Sequence, residues 1–169
     1  MYRVVTGGPG AGKTTLLNAL AARGFPVQPE AGRAIIQAQQ AIGGTALHTG
    51  DTALFAELML MWDIRNHQEA PAGTVFFDRG VTDLVGYHLL LGREVPPHVA
   101  RAAEVFRYDT VFVAPPWPEI YTTDAERGQD FAEAVRTHDA IVAGYRRHGY
   151  DPVPLPLASV EDRVAFVLS

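Results

Sequence analysis

The chain has 169 residues, 47% of them hydrophobic, and a formal net charge of −5. This length and apolar content predict a single domain, residues 1–169, with a full hydrophobic core. The negative charge leaves no basic field for nucleic acid, and a sequence without cysteine excludes disulfides and thiolate metal sites. No apolar run approaches the ~20 residues of a membrane span. A strand begins directly at the N-terminus and leaves no room for a signal peptide, so we expect a cytoplasmic protein.

Short apolar runs alternate with longer helical patterns along the whole chain. The runs predict five strands, at 2–6, 25–29, 74–78, 110–114 and 152–155. The third and fourth runs are almost continuously apolar, as expected for strands that are buried on both faces of a sheet. This alternation predicts an α/β fold, in which helices cover both faces of a five-stranded parallel sheet.

Helix start and stop signals divide the remaining sequence. The predicted helices span 15–22, 31–41, 51–70, 82–91, 97–107, 129–148 and 159–168. Asp51 is expected to cap the third of these helices, Gly149 to end the sixth, and Ser159 to open the last with a capping-box pattern.

A glycine-rich loop follows the first strand and leads directly into the first helix. It consists of Gly7, Gly8, Pro9, Gly10, Ala11, Gly12, Lys13 and Thr14, and it matches G-x-x-x-x-G-K-[ST] at every fixed position. Lys13 is the single lysine among 14 Lys and Arg residues. A compact ammonium can reach past such a loop to the β- and γ-phosphates, which the planar fork of arginine does less well. The motif therefore predicts a nucleotide triphosphate, with ATP as the expected cofactor.

Each part of this loop has an expected role. Backbone N–H groups from Gly8 to Thr15 are expected to hold phosphate oxygens, because glycine lets the backbone approach without a Cβ clash. The helix N-terminus adds its partial positive charge. The Thr14 hydroxyl is placed to bind Mg²⁺.

Charged residues follow the second and third strands, where a parallel sheet places its ligands. Asp78 ends an apolar strand, as a Walker B aspartate does, and is expected to hold Mg²⁺ together with Thr14; its alternative is a helix N-cap. Arg79 is expected to face a phosphate or the acceptor, and a surface salt bridge is the alternative. Glu30 is expected to take a proton from an acceptor hydroxyl, or else to compensate the dipole of the helix that follows it.

A polar segment between the fourth strand and the sixth helix predicts a mobile lid near residues 117–130. Arg127 is its candidate for offsetting charge on the transferred phosphate, and a solvated loop arginine is the alternative. Trp117 either lines a ligand pocket or covers the core. Trp62 is expected in the core, although Met59, Trp62, Tyr87 and His88 are also weak candidates for lining an acceptor pocket.

The chain resembles the P-loop nucleoside and nucleotide kinases, namely deoxynucleoside kinases, thymidylate kinases and the ribosylnicotinamide kinase domain, with the small predicted ATPases grouped with it. The resemblance rests on residues 7–14, Pro29-Glu30, Asp78-Arg79 and Glu126-Arg127. It implies strand order 2-3-1-4-5 in a three-layer α/β/α fold and transfer of phosphate from Mg·ATP to a hydroxyl or phosphate group. The chain departs from the pattern with a single lid arginine, and with Gly80 where deoxynucleoside kinases usually have serine.

Three other classes of function compete with a small-molecule kinase. A GTPase switch would need an Asn-Lys-x-Asp segment, which a chain with no lysine other than Lys13 does not contain, and Val81 replaces the glycine of D-x-x-G. An ATPase motor would place a glutamate beside Asp78, where the chain has Arg79. A nucleotide-binding regulator without phosphoryl transfer stays open, with Glu30 as the residue that argues against it.

The prediction is a Mg·ATP-dependent phosphotransferase that acts on a small-molecule acceptor. A nucleoside, a nucleoside monophosphate, a vitamin-like nucleoside and an antibiotic hydroxyl all stay open as that acceptor.

Overall fold

The structure is a computed structural model, which describes residues 1–120 and 131–169. The expected lid residues Glu126 and Arg127 therefore lie outside the described residues. No helix in the described part is both long and apolar enough to cross a membrane.

The described residues form a five-stranded sheet in the order β2-β3-β1-β4-β5, with every neighbouring pair parallel. This confirms the predicted fold and strand order. The strands are β1 (Tyr2–Gly7), β2 (Val27–Gln28), β3 (Val75–Asp78), β4 (Thr110–Ala114) and β5 (Val153–Pro154).

The two edge strands are shorter than the predicted runs 25–29 and 152–155. Pro26 and Pro29 flank β2, while Pro152 and Pro156 lie on either side of β5. Proline has no N–H group to donate to a ladder, so regular pairing ends early at both edges.

Helices cover both faces of this sheet. They are α1 (Lys13–Ala22), α2 (Ala31–Ile42), α3 (Thr52–Glu69), α4 (Asp83–Leu90), α5 (Pro97–Val105), α6 (Phe131–Arg147) and α7 (Val160–Leu168). The Asp51 carboxylate accepts a hydrogen bond from the Leu54 amide at 2.9 Å, as its predicted capping role requires. Ser159 Oγ likewise accepts from the Asp162 amide at 3.2 Å.

The core is divided by the sheet. On one face, Leu16 and Leu20 of α1 and Val167 of α7 pack with Val5 and Phe76. On the other face, Ile141 and Tyr145 of α6 pack with Val4, Val75 and Phe77.

The crossing of α4 and α6 depends on two glycines. A Cβ on Gly86 would lie 2.7 Å from the Ile141 Cα, and a Cβ on Gly144 would lie 2.8 Å from the Gly86 nitrogen. This close approach brings Tyr145 of α6 against the first turn of α4.

The expected core position of Trp62 is wrong, because its side chain is 38% exposed. The inward face of α3 instead carries Phe55, Ala56, Leu60 and Asp63. Successive helical residues are rotated by about 100°, so an inward Asp63 turns its neighbour Trp62 towards the surface.

Candidate active site

The glycine-rich loop joins the end of β1 to the start of α1. Gly7 has φ 129°, and a Cβ there would lie 2.4 Å from the Ala114 carbonyl oxygen of β4. Gly12 has φ 72° and forms the N-cap of α1. The two motif glycines thus stand where a side chain would clash or strain the backbone.

Side chains cap the N-termini of α3 and α7, but no described side chain caps the N-terminus of α1. The first turn of α1 also contains no acidic residue. The first amides of a helix need an acceptor, and a helix N-terminus favours an anion. This end of α1 is therefore suited to a phosphate group.

Lys13 is the first residue of α1, and its side chain is 8% exposed. Its Nζ donates to the Gly7 carbonyl at 3.1 Å and to the Gly8 carbonyl at 2.6 Å. The ammonium group is therefore held by the first two carbonyl groups of the loop.

Asp78 ends β3 beside Val5 of β1. Its Oδ1 atom is buried, and no described residue donates a hydrogen bond to it. Burial and then Glu30 raise the pKa of Asp78, while Lys13 and Arg79 act in the opposite direction. An orphaned carboxylate oxygen at this strand end fits a divalent cation, for which the exposed Thr14 hydroxyl would be the second protein ligand.

Glu30 and Arg79, predicted separately, are in contact. Arg79 Nε donates to Glu30 Oε1 at 3.3 Å, and Arg79 Nη1 donates to Asp83 Oδ1 at 3.3 Å. Burial alone would lower the pKa of Arg79, but Glu30, Asp83 and Asp78 outweigh it and raise the pKa. Glu30 precedes α2 without capping it through its side chain. Arg79 is thus the centre of a part-buried set of ion pairs instead of a surface salt bridge.

The backbone of Arg79 is strained, since its φ of 68° is the only positive value among the described non-glycine residues. A strained backbone conformation persists only when other contacts hold the residue in place. The ion pairs with Glu30 and Asp83 hold the Arg79 side chain, and the Arg79 amide donates to the Val5 carbonyl at 3.1 Å.

Asp83 belongs to the candidate site, and the sequence analysis missed it. Its carboxylate accepts hydrogen bonds from the Thr6 hydroxyl, from the Tyr145 hydroxyl at 2.6 Å and from the Gly80 amide at 3.0 Å. These bonds connect β1, α6 and the turn after β3. Asp83 therefore fixes the guanidinium of Arg79 against the rest of the fold.

Gly80, which departs from the serine of the deoxynucleoside kinase pattern, has a steric reason to be glycine. A Cβ there would lie 2.7 Å from the Tyr108 ring. The Tyr108 hydroxyl accepts a hydrogen bond from the Val81 amide at 3.1 Å. This ring occupies the space that a serine side chain would need.

Residues of the phosphate loop line two separate cavities. The first, here called the acidic cavity, is lined by Pro9 and by the carboxylates of Glu30, Asp63 and Asp83 around Arg79. Met59 and Tyr87 also line it, whereas Trp62 and His88 are not among its described lining residues.

The second, here called the loop cavity, is lined by residues 10–15 and by Trp117, Ile120, Ser159 and Arg163. Trp117 thus lines a pocket. Arg163, which the sequence analysis missed, donates to the Ala11 carbonyl at 3.3 Å and to the Gly12 carbonyl at 3.4 Å. Its guanidinium carbon lies 5.9 Å from the centre of the Trp117 ring, and burial lowers its pKa.

Residues 3–163 match a family model described as an AAA domain, and the chain belongs to that family. None of the curated proteins matches the sequence significantly.

Solved structures with the same fold include nucleoside and nucleotide kinases. Thymidylate kinase from Ehrlichia chaffeensis is 13% identical with a TM-score of 0.68, over 100% of this chain and 98% of that one. Deoxyadenosine kinase from M. mycoides with bound dATP is 13% identical with a TM-score of 0.63, over 99% and 97%. The NadR protein in complex with NR is 18% identical with a TM-score of 0.72, over 98% of this chain and 49% of that one, so this chain spans about half of NadR. At these identities the likeness establishes the P-loop kinase fold.

Proposed function

We propose that the protein is a Mg·ATP-dependent phosphotransferase that acts on a small hydroxyl-bearing or phosphate-bearing metabolite. One observation carries the proposal: neighbouring residues of the same phosphate loop line both cavities. Residues 10–15 line the loop cavity, and Pro9 lines the acidic cavity. A nucleotide in the first and an acceptor in the second would approach each other at the loop, and such positioning is a large part of phosphoryl-transfer catalysis.

On the nucleotide side, the loop amides and the start of α1 would hold the phosphates, and Lys13 would offset charge on the β- and γ-phosphates. Bound Mg²⁺ would supply further charge neutralisation, with Thr14 and Asp78 as its protein ligands. Arg163 would hold the loop through its hydrogen bonds to the Ala11 and Gly12 carbonyls. The Trp117 ring in the same cavity would provide a flat surface for a nucleotide base.

On the acceptor side, Glu30 would orient the acceptor hydroxyl or remove its proton. Arg79 would stabilise charge on the transferred group from its position between Glu30 and Asp83. We expect Arg127, in the predicted lid segment near 117–130 and beyond the described ranges, to add a second cation there.

The variant Glu30→Gln separates transfer from nucleotide binding. We expect calorimetry to give an unchanged dissociation constant for ATP, because Glu30 lines the acidic cavity and the loop cavity lies on the other side. Transfer of radiolabelled γ-phosphate to the acceptor should fall on the order of 10²-fold or more, as expected for the loss of one acid–base group. Glu69→Gln, in an exposed pair with Arg65, is the matched control. Full transfer by Glu30→Gln would contradict the proposed role.

A further inference from the structure

Asp63 of α3 is a buried acid without a hydrogen-bond partner in the described part of the chain. Its side chain is 4% exposed and lines the acidic cavity, and no described residue forms a hydrogen bond with its carboxyl group. Burial and then Asp83 raise the pKa of Asp63, and Arg79 only partly opposes them. A buried carboxyl group is unfavourable unless a hydrogen bond or an opposite charge satisfies it.

Two more polar atoms in the same cavity lack partners. His48 Nδ1 and Thr137 Oγ1 are buried, and neither has a hydrogen-bond partner within residues 1–120 and 131–169. Both residues line the acidic cavity. Native proteins leave few buried polar atoms unsatisfied, so these two atoms, together with the Asp63 carboxyl group, indicate a ligand with several polar groups.

The charges of the cavity indicate the sign of that ligand. Glu30, Asp63 and Asp83 line it, and Arg79 is the one arginine or lysine among its described lining residues. Arg79 already pairs with Glu30 and Asp83. Among the described residues no cation pairs with Asp63, and an acceptor that already carries a phosphate would meet the negative charge of this carboxylate.

Much of the remaining lining of the cavity is apolar and partly aromatic. Phe55 and Tyr87 pack edge to face with their ring centres 6.2 Å apart, and Met59, Ile36 and Leu90 also line the cavity. Such walls suit a flat ring, and their electron-rich faces also attract cations.

We propose that Asp63 is a specificity-determining residue that binds a cationic nitrogen group of a ring-bearing, non-phosphorylated acceptor. The cation offsets the repulsion between Asp63 and the neighbouring carboxylates, and the ring lies against Phe55 and Tyr87. The assignment of this cavity to the acceptor rests on the proposed phosphotransferase function.

Two matched pairs of ring-bearing alcohols test this inference by calorimetry without ATP. Pyridoxamine and 1-methyladenosine carry a net positive charge at neutral pH, while pyridoxine and adenosine, the other member of each pair, carry no net charge. We expect the wild-type protein to bind each cationic member on the order of tenfold more tightly, as for a close charge pair. Asp63→Asn should remove this preference and retain the binding of the neutral members. Asp139→Asn, whose side chain is 71% exposed on α6, should leave the preference intact.

Equal or weaker binding of the cationic members by the wild type would overturn the inference, as would an unchanged preference in Asp63→Asn. Thermal melting of Asp63→Asn checks that the variant is folded. Phosphate transfer is measured separately with the same compounds and ATP. A cation preference without transfer would refute phosphate transfer to these four compounds and leave the cation site standing. Transfer without a cation preference would refute the role of Asp63 alone.

Discussion

The loop cavity and the acidic cavity are built by different means. The backbone forms most of the first, through glycines, the uncapped start of α1 and the inward-turned Lys13. Side chains form the second, from the end of β2, from α3, from the end of β3 and from α4. The first therefore offers a fixed site for phosphate groups that many nucleotides share, whereas the second can vary residue by residue with its acceptor.

Charge divides the two cavities in the same way. Lys13 and Arg163 face the loop cavity, where anionic phosphates are expected. Carboxylates outnumber the single guanidinium among the described residues of the acidic cavity. In the proposed reaction the transferred phosphate would pass from one cavity to the other at the loop. Substitutions in the loop cavity should therefore change ATP binding, and substitutions in the acidic cavity should change acceptor binding.

The largest effect is expected from Lys13→Ala. Loss of one preorganised cation at the transferred phosphate should lower kcat on the order of 10²-fold or more. Thermal melting checks that the variant keeps its fold, since Lys13 also donates to the carbonyls of Gly7 and Gly8. Arg65→Ala, at a side chain that is 75% exposed, serves as the control for loss of a surface cation. Full activity of Lys13→Ala would contradict the proposed role of Lys13 at the transferred phosphate.

Gly80→Ser tests the packing behind the acidic cavity. The new Cβ would meet the Tyr108 ring at 2.7 Å, so we expect urea unfolding to show a loss of about 1–3 kcal/mol. The loss should shrink in a Tyr108→Leu background, where the ring is gone. An equal loss in both backgrounds would mean that Tyr108 is not the obstacle.

Arg163→Met should act on the loop cavity alone. Without the donors to Ala11 and Gly12, the loop is held less firmly, and we expect about tenfold weaker ATP binding, or roughly 1.4 kcal/mol. The KM for the acceptor should stay unchanged. A change in acceptor KM with unaltered ATP affinity would contradict the separation of the two cavities.

Asp63→Asn should stabilise the free protein, and its effect depends on pH. Because burial raises the pKa of Asp63 in the folded state, folding favours the protonated acid. The wild type therefore loses stability as pH rises from the unfolded to the folded pKa, and the full penalty applies above the folded pKa. We expect the variant to gain about 1 kcal/mol in unfolding free energy above that window and nothing below it.

Urea unfolding across an acid-to-neutral pH series checks this, with Asp139→Asn as the control. Glu30, Asp78, Asp83 and Arg79 also act on Asp63, and they are unchanged in both variants. A gain that does not vary with pH would show that Asp63 is not the titrating group.

The sequence predicts the loop side of the site better than the acceptor side, for physical reasons. Glycine spacing encodes a backbone shape directly, so Gly7 to Thr14 can be recognised without tertiary information. Asp83 resembles an ordinary first-turn helix residue, and its bonds to Thr6 and Tyr145 join residues 77 and 62 positions apart. No local pattern reveals contacts of that kind.

The helical spacing of apolar residues in the sequence could have identified Asp63 and Arg163 as buried charged residues. Ala56, Leu60 and Asp63 recur at i, i+4 and i+7 and share the buried face of α3. Val160, Arg163, Val164 and Val167 recur in the same way on α7, where Val164, Val167 and Arg163 are buried. A charged residue in phase with an apolar face marks a candidate site, whereas the exposed Trp62 shows that apolar character alone does not.

The most direct test of the account is acceptor-dependent ADP release. The purified protein is incubated with Mg·ATP and a panel of nucleosides, nucleoside monophosphates and other hydroxyl-bearing metabolites, with a control that lacks any acceptor. We predict ADP release that an acceptor stimulates, with one phosphorylated product formed per ADP. ATP binding without stimulated turnover across the panel would contradict the phosphotransferase and favour a nucleotide-binding regulator.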